Sequence, residues 1–222
     1  MRVVHIQTRL EGDVVLPQRL LSSLPRKVAL FTTAQLAHVR GLLGEQLREA
    51  GKEVVLTRMR HTWEEGQLLG CSTLPVAVAA DAFLYVGDGE FHPQALVIGN
   101  ELPVFCFNPV SGKWCRFEEG WIRRVKRQRK GALAAFFGAK RVGVVVTTKS
   151  GQQRLSAALS LRERFVDKEF FVFLMDVVVP ESLEDFPFVE VFVNTACPRL
   201  GFDDFSRFPK PVVNLDDVGI VW

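Results

Sequence analysis

Two cysteines stand in sequence settings where a thiol could do chemistry. Cys197 follows an apolar run at residues 189–193 through a short polar turn, and Pro198 comes directly after it. The end of a buried parallel strand is where open α/β sheets place their reactive groups, and a proline stiffens the backbone beside the thiol. Cys71 ends a second segment, GQLLGC at residues 66–71. A lone cysteine after a strand is more often a small buried hydrophobe, so the case for Cys197 depends on the presence of Cys71.

The spacing of the four cysteines limits the metal sites that they could form. The sequence contains no Cys-x-x-Cys pair, which argues against a local zinc ribbon or a ferredoxin-type cluster. Cys71 and Cys197 are far apart in the chain, so only a fold that brings equivalent loops together could unite them. The pattern favours a metal or iron–sulfur cluster held at a junction between domains. Cys106 lies in an apolar run and is expected in the core, whereas Cys115 lies in a turn-rich link.

The elements that would position these cysteines occur twice. In each half an apolar strand ends in two threonines, a helix with apolar residues at helical spacing follows, and another strand comes next. The elements predicted for the first half are strand 3–6, helix 17–24, strand 28–31, helix 35–50, strand 54–56, strand 82–86, a helix start near Pro93 and strand 104–107. Those predicted for the second half are strand 142–146, helix 152–164, strand 170–175, helix 180–186 and strand 190–193.

This alternation predicts an α/β fold made of two repeated three-layer α/β domains, each with a mostly parallel sheet of about four strands. The predicted domains are residues 1–115, which carry Cys71, and residues 116–222, which contain a basic link and carry Cys197. Right-handed crossovers would gather the loops after the strands along one edge of each sheet. Both cysteines are therefore expected at such an edge.

The composition is that of an ordinary globular protein. The 222 residues are 48% hydrophobic and 24% charged, with a net charge of +3, which by itself indicates neither a nucleic-acid nor a membrane partner. No apolar stretch approaches the roughly 20 residues of a membrane span, and no signal peptide is expected before the first strand. We therefore expect a cytoplasmic protein, whose cysteines are thiols or metal ligands rather than disulfides.

Three further loops carry polar residues next to predicted strand ends. Lys149 and Gln152 lie in TTKSGQ (residues 147–152), which lacks the glycine spacing of a nucleotide-hydrolysing phosphate loop but could hold a carboxylate or phosphate at a helix start. Gln35 lies in the corresponding loop of the first half (residues 33–35), which contains no glycine or lysine. Asp88 and His92 lie in GDGEFH (residues 87–92), which could equally be a surface turn and lacks the partners of a zinc site.

A run of basic residues at 123–130 is the strongest charge feature of the chain. Such a run can bind RNA or another polyanion, but only Trp121 lies beside it as an aromatic residue that could stack on bases. A solvated helix face is favoured, and a nucleic-acid partner is not expected. If the run binds a partner, an acidic patch on another protein fits it better.

Five segments together resemble the diphthamide-biosynthesis family, the 2-(3-amino-3-carboxypropyl)histidine synthases, and in particular its archaeal members. They follow one another in family order with family-like spacing over nearly the whole chain, which makes the resemblance more specific than any one motif. The segments are ALFTTAQ (29–35), GQLLGC (66–71), YVGDGEFHP (85–93), TTKSGQ (147–152) and FVNTACPRL (192–200).

The resemblance implies a radical enzyme that uses an iron–sulfur cluster. The family is built from three repeated α/β domains, each of which gives one cysteine to a [4Fe–4S] cluster whose fourth iron binds S-adenosylmethionine. The reaction yields a 3-amino-3-carboxypropyl radical, which adds to a histidine of translation elongation factor 2 in the first step of diphthamide synthesis. By resemblance, Cys71 and Cys197 are the second and third cluster ligands.

Roles for the other polar residues are inferred from their placement at strand ends. Gln35, Lys149 and Gln152 are candidates for polar contacts to S-adenosylmethionine. Asp88 and His92 would contact the substrate or order their loop.

The resemblance also implies that a domain is absent. The chain starts where the family's middle domain starts, so the first domain and its cysteine are expected to be missing. Either another polypeptide supplies the third ligand, in a homo- or hetero-oligomer, or the chain is a non-catalytic partner that supports the cluster of a complete homologue. Cys106 and Cys115 are weaker candidates for a substitute ligand. A binding module that uses the basic run is a third alternative.

Overall fold

The structure is a computed structural model that describes residues 8–219 of the chain. The strand predicted at residues 3–6 lies outside the described residues. Two compact units divide between Ile122 and Arg123. The division predicted after Cys115 falls within the first unit, in which the backbone N–H of Phe117 donates to the carbonyl oxygen of Val104 at 3.1 Å.

The first unit is built around one sheet. Its elements are α1 (Gln18–Ser23), β1 (Lys27–Thr32), a 3-10 helix (Ala34–Val39), α2 (Arg40–Glu49), β2 (Glu53–Val55), β3 (Ala82–Val86), α3 (Phe91–Gly99), β4 (Val104–Asn108) and β5 (Lys113–Arg116). The strands lie in the order β2-β1-β3-β4-β5. All neighbours are parallel except β5, which pairs antiparallel with β4.

The inner strands of this sheet are mostly apolar because both of their faces are covered, as is typical of parallel strands. Successive residues of β1 point to opposite faces. Leu30 lies in a core cluster with Leu43 of α2, and Phe31 lies in another with Leu96 of α3. Helices therefore pack on both faces of this sheet.

The second unit repeats this plan. Its elements are α4 (Glu119–Gly138, whose first turn belongs to the first unit), β6 (Arg141–Thr147), α5 (Leu155–Arg164), β7 (Glu169–Met175), a 3-10 helix (Pro180–Asp185), β8 (Val191–Asn194), α6 (Leu200–Asp203), a 3-10 helix (Phe205–Arg207), β9 (Val212–Asn214) and a 3-10 helix (Leu215–Val218). The sheet order is β7-β6-β8-β9, and all the strands are parallel. Strands β2-β1-β3-β4 and β7-β6-β8-β9 thus share one topology, and the predicted α/β fold with mostly parallel sheets is confirmed.

At the amino-terminal edge of each sheet, an acidic residue lies just before the third strand of the unit. Its carboxylate accepts hydrogen bonds from the backbone at the start of the unit's first strand. In the first unit the Asp81 carboxylate accepts a hydrogen bond from the backbone N–H of Lys27 at 3.1 Å. In the second unit the Glu190 carboxylate accepts from the backbone N–H groups of Lys140 and Arg141 at 2.7 and 3.2 Å. The two units therefore share this carboxylate–backbone hydrogen bond as well as their strand order.

Several predicted elements differ from those observed. The helix predicted at 35–50 is a 3-10 helix followed by α2, which begins at Arg40. The helix predicted at 152–164 begins at Leu155, because residues 151–152 form a turn and Arg154 has a non-helical φ of −131° and ψ of 46°. The edge strands β5 and β9 were not predicted, because β5 (KWCR) begins and ends with a charged residue and β9 (VVN) has only two apolar residues in a row. Within residues 8–219 no helix is long and apolar enough to span a membrane.

Candidate functional site

The turn that carries Cys197 is built around one buried asparagine side chain. Asn194 is the last residue of β8 and is only 1% exposed. Its Nδ2 donates hydrogen bonds to the carbonyl oxygen of Cys197 and to Oδ1 of Asn214, each at 2.8 Å. Its Oδ1 accepts from the backbone N–H of Ala196 at 3.1 Å. The backbone that presents the thiol is therefore fixed at the carboxyl end of β8.

A second asparagine, at the end of β9, extends this support. Asn214 is 3% exposed, and its Nδ2 donates to the carbonyl oxygen of Pro198 at 2.9 Å. Gly201 of α6 approaches so closely that a Cβ there would lie 2.5 Å from Asn214 Oδ1. Cys197 itself is partly exposed. A buried pair of amides, which we call the asparagine pair (Asn194 and Asn214), thus supports an accessible thiol.

Two more buried polar residues hold the ends of the same turn. The hydroxyl of Thr195 donates to the carbonyl oxygen of Val145 on the neighbouring strand β6, at 2.9 Å. Arg199 donates from Nε and Nη2 to the two carboxylate oxygens of Asp203, at 2.8 and 2.9 Å. A buried guanidinium must be paired in this way, because an uncompensated charge away from water is costly.

The segment before Cys71, which we call the Cys71 loop (residues 66–71), is attached to the sheet of the first unit. The backbone N–H of Thr32 donates to the carbonyl oxygen of Gly66 at 2.8 Å, and the N–H of Leu68 donates to the carbonyl oxygen of Thr32 at 2.9 Å. Gln67 consequently forms an isolated parallel bridge with Thr32, the last residue of β1. The loop therefore starts at the carboxyl edge of the sheet.

A buried arginine anchors this loop. Arg40, which is 8% exposed, donates from Nε to the hydroxyl of Thr32 at 3.1 Å and from Nη1 to the carbonyl oxygen of Glu65. Its Nη2 lies 3.4 Å from a carboxylate oxygen of Glu64. Burial lowers the pKa of the Arg40 guanidinium, and the Glu64 carboxylate opposes that shift. Gly66 has a φ of +71° and no room for a Cβ, which would lie 2.8 Å from Arg40 Cδ.

Phe91 covers the end of the Cys71 loop. A Cβ on Gly70 would lie only 2.0 Å from the Phe91 ring. The Phe91 side chain is 50% exposed, and Cys71, next to Gly70, is exposed. The backbone N–H of Thr73 donates to the carbonyl oxygen of Cys71 at 2.9 Å. Cys71 therefore directly follows a glycine that packs against the half-exposed ring of Phe91, the first residue of α3.

His92 contacts the same Phe91 ring that packs against Gly70 of the Cys71 loop. Its imidazole lies edge-on to Phe91, with ring centroids 5.5 Å apart, and stacks on Tyr85 with centroids 6.2 Å apart. Burial raises the pKa of the Tyr85 hydroxyl, which donates to the backbone carbonyl oxygen of Asp88 at 3.2 Å. His92 is thus packed between two aromatic rings, an arrangement that orders the start of α3.

Asp88 lies on the surface of the same turn. Its Oδ1 accepts a hydrogen bond from Nδ2 of Asn108, the last residue of β4, at 2.7 Å. Asn108 Oδ1 in turn accepts from the backbone N–H of Val110 at 2.9 Å. The carboxylate therefore joins the turns after β3 and β4 while remaining exposed.

The three residues predicted to contact S-adenosylmethionine are exposed and lie after inner strands. Gln35 is in the 3-10 helix after β1, and Lys149 and Gln152 are in the loop after β6. β6 pairs directly with β8, so this loop and the Cys197 turn leave neighbouring strands on one edge. Contrary to prediction, Lys149 and Gln152 do not lie at a helix start, since α5 begins at Leu155.

Within each unit the structure gathers the predicted residues on one sheet edge, and it adds residues that sequence reasoning missed. Arg40 and Asn214 have the largest roles among those missed. A signal for Asn214 was available, because the strand before Cys197 and the strand at 212–214 both end in Val-Asn. Arg40 gave no signal, since its position in α2 is that of an ordinary helical arginine.

The structure also bears on metal binding. Among residues 8–219, no group of three or more His, Cys, Asp or Glu side chains could hold a metal ion. Each unit instead offers one accessible cysteine at the carboxyl edge of its sheet, Cys71 in the first and Cys197 in the second.

The basic run occupies part of α4. Arg124, Arg127 and Lys130 are exposed. On another face, Gln128 donates to the carbonyl oxygen of Gly201 at 3.3 Å, and Arg129 lies 2.6 Å from the Asp217 carboxylate. Burial raises the pKa of Asp217, and Arg129 opposes that shift. The helix thus has a solvated basic face and a face that packs within the second unit.

Comparison with known proteins adds to this geometry. The whole chain, residues 1–222, matches a family model described as "Putative diphthamide synthesis protein". A protein of Pyrococcus horikoshii named 2-(3-amino-3-carboxypropyl)histidine synthase is 33% identical over 207 residues, which are 90% of this chain and 58% of that protein. The human 2-(3-amino-3-carboxypropyl)histidine synthase subunit 1 is 32% identical over 151 residues, which are 67% of this chain and 34% of that protein.

Solved structures agree with the sequence relatives. The crystal structure of Dph2 from Pyrococcus horikoshii matches with a TM-score of 0.75 at 31% identity, covering 90% of this chain and 58% of that one. The crystal structure of Dph2 from the same organism with a 4Fe-4S cluster matches with a TM-score of 0.73 at 31% identity, over the same shares of the two chains. The chain therefore spans 58% of the length of these archaeal relatives.

Proposed function

Because the chain belongs to the diphthamide synthesis protein family, we propose that it provides two thiolate ligands, Cys71 and Cys197, to the [4Fe–4S] cluster of a 2-(3-amino-3-carboxypropyl)histidine synthase. The proposed reaction is radical transfer of a 3-amino-3-carboxypropyl group from S-adenosylmethionine to a histidine of translation elongation factor 2, the first step of diphthamide synthesis. The substrate would be met in the cytoplasm. The observation that carries the proposal is one accessible cysteine at the carboxyl edge of each sheet, in a chain similar to a Dph2 whose crystal structure has a 4Fe-4S cluster.

The two cysteines suit such a cluster chemically. Iron–sulfur clusters are held by cysteine thiolates, and both thiols are accessible while the backbone around them is hydrogen-bonded. When bound, the reduced cluster would supply an electron to the sulfonium of S-adenosylmethionine. The protein's part is to hold the thiolates and orient the cofactor.

The proposed cluster needs three cysteine ligands, and Cys71 and Cys197 provide two of them. Within the described residues no three metal-binding side chains converge, and the chain covers 58% of the Pyrococcus relative. We propose that the third thiolate comes from polypeptide outside these 222 residues, either further sequence or another subunit of a homo- or hetero-oligomer.

The remaining polar residues are proposed to bind the small molecule and order the site. Lys149 and Gln152, exposed in the loop beside the Cys197 turn, would contact the carboxylate of S-adenosylmethionine, and Gln35 would do so in the first unit. His92 would order the start of α3 beside the Cys71 loop, because it packs between two aromatic rings. Asp88, exposed on the same turn, would face the protein substrate.

The test is anaerobic reconstitution with iron and sulfide, followed by iron counting and electron paramagnetic resonance of the reduced protein with and without S-adenosylmethionine. We expect about four irons per active unit, loss of the signal in Cys71→Ala and in Cys197→Ala, and a change in the spectrum when S-adenosylmethionine is added. Cys115→Ala is the matched control, because it removes another exposed thiol of the first unit.

The outcomes separate the alternatives. A cluster that forms only when a partner chain is present would support a split enzyme. A partner that holds a complete cluster whether or not Cys71 and Cys197 are intact would show that this chain is a non-catalytic subunit. Absence of a cluster both alone and with a partner would remove the catalytic proposal.

A further inference from the structure

The first unit contains a pair of cysteines that the proposed cluster does not use. Cys106 of β4 and Cys115 of β5 are directly opposite each other in the antiparallel ladder. Opposite residues of such a ladder project from the same face, and their Cα atoms are about 4.5–5.5 Å apart. That range lies inside the roughly 4.4–6.8 Å that a disulfide spans.

The two thiols also interact. Each is close enough to shift the pKa of the other. The two sulfur atoms are therefore already neighbours, so a disulfide could form between them without a change in strand register.

The two thiols differ in their exposure to solvent, and this difference determines which of them reacts first. Cys106 is 8% exposed and packs in the core cluster that includes Tyr85, its register partner on β3. Cys115 is exposed. Burial raises the pKa of both thiols, and the Glu90 carboxylate near them adds to the rise. Cys115 is therefore the thiol that a reagent in solution meets first, and Cys106 is the neighbour that can resolve the product.

We propose that Cys106 and Cys115 form a reversible thiol–disulfide site whose reaction partner is a low-molecular-weight disulfide of the glutathione class. The Cys115 thiolate attacks one sulfur of the small disulfide, and one small thiolate leaves. The Cys106 thiolate then attacks the Cys115 sulfur of the mixed disulfide, and the second small thiolate leaves. Two protein thiols lose two protons and two electrons, and the small disulfide is reduced to two thiols.

The product would close the β4–β5 hairpin covalently. β5 is the edge strand of the sheet, held to β4 by a ladder of four residue pairs. A disulfide there joins the edge strand to an inner strand and removes the exposed Cys115 thiol from further reactions. The site is independent of Cys71 and Cys197, so it stands or falls separately from the proposed cluster.

The test uses the full chain in buffers that contain reduced and oxidised glutathione at a series of ratios. Thiols are then blocked with N-ethylmaleimide, and peptides are mapped by mass spectrometry without reduction. We expect one internal disulfide between Cys106 and Cys115, formed stoichiometrically at oxidising ratios and reversed by a dithiol. The Cys71→Ser/Cys197→Ser double variant should form the same disulfide to the same extent.

Two variants keep the result open to refutation. Cys106→Ser should stop at the mixed disulfide on Cys115, whereas Cys115→Ser, an exposed substitution that the fold should tolerate, should leave Cys106 unmodified. Because only the thiolate attacks and both pKa values are raised, the rate should increase about tenfold for each pH unit across the neutral range. Failure to form the bond at every ratio, or a bond to Cys71 or Cys197 instead, would overturn the proposal.

Discussion

The two cysteine turns occupy the same edge of similar sheets, but they are stabilised by different kinds of contact. The Cys197 turn surrounds the asparagine pair, whose amides are buried and make short hydrogen bonds to the turn's own backbone. The Cys71 loop is attached by the long side chain of Arg40 and covered by Phe91, which is half-exposed. One cysteine thus follows a turn supported by buried groups, whereas the other ends a loop whose cover, Phe91, is half-open to solvent.

This difference bears on how a cluster would be bound. A ligand on a rigid turn fixes the position of the metal, whereas a ligand on an adjustable loop can close onto it, at some cost in conformational entropy. In the proposed cluster site, Cys197 would therefore determine the position of the metal, and Cys71 would adapt to it. Four changes test this contrast.

The largest effect is expected from Asn194→Ala. The change removes the hydrogen-bond partners of three groups, of which Asn214 Oδ1 and the Ala196 N–H are buried and the Cys197 carbonyl oxygen is partly buried, and each unsatisfied buried group costs about 1–3 kcal/mol. We expect the free energy of unfolding of the second unit to fall by about 3 kcal/mol, measured by urea denaturation. The control is Asn108→Ala, at a surface turn of the first unit, which should cost under about 1 kcal/mol. Equal losses in the two variants would contradict the contrast.

The next effect comes from adding one methyl group to each turn. In Gly201→Ala the new Cβ lies 2.5 Å from Asn214 Oδ1 in a buried site, so we expect a loss of about 2 kcal/mol. In Gly70→Ala the Cβ lies closer to its neighbour, 2.0 Å from the Phe91 ring, but that ring can move into solvent. The Gly70→Ala change should lower the free energy of unfolding by less than about 1 kcal/mol. In a Phe91→Ala background the same change should have no further effect on stability. A larger loss in Gly70→Ala than in Gly201→Ala would show that the Cys71 loop is the rigid one.

A smaller effect is expected from Arg40→Met, which keeps the apolar stem of the side chain and removes its donors. Thr32 and the carbonyl oxygen of Glu65 lose their partners, at a cost of about 1.5 kcal/mol. Hydrogen exchange should increase at residues 64–71 and remain unchanged at residues 194–199. Arg40→Lys should restore part of the protection, since an ammonium can reach one of the two acceptors. Faster exchange in both segments would show a global rather than a local effect.

The smallest effect concerns pH. Backbone N–H donors of Lys140 and Arg141 lower the pKa of Glu190 below its ordinary value near 4.5. A carboxyl with a lowered folded pKa gives stability that is present above that ordinary value and is lost as the pH falls through the folded pKa. Glu190→Gln should therefore narrow the difference in melting temperature between about pH 7 and about pH 3. Glu184→Gln, at an exposed surface position, is the control and should leave the difference unchanged.

Much of the fold and the cysteine positions could be predicted from the sequence. Continuous apolar runs predicted the inner strands, because a strand covered on both faces has a clear pattern. The edge strands β5 and β9 were missed, since neither contains an apolar run of three residues. The cysteines were found because they follow strands in segments similar to those of a known family.

The supporting residues could not be predicted in the same way. Arg40 contacts the Cys71 loop from another element, and Asn214 reaches the Cys197 turn from the next strand. Such contacts depend on tertiary packing, which no local pattern encodes. The loop geometry around Lys149 was also missed, because the chain makes a turn at residues 151–152 and Arg154 is not helical, so that α5 starts three residues later than predicted.

The contribution of Asn214 has a consequence for the order in which the molecule is completed. Asn214 follows Cys197 in the chain, and it binds the Pro198 carbonyl and the Asn194 side chain only when β9 has paired with β8. A nascent chain that ends at Lys210 already contains Cys197 but lacks β9. During synthesis Cys197 is therefore made before Asn214 can stabilise its turn. Metal that reached the thiol before β9 was made would meet a turn without that support.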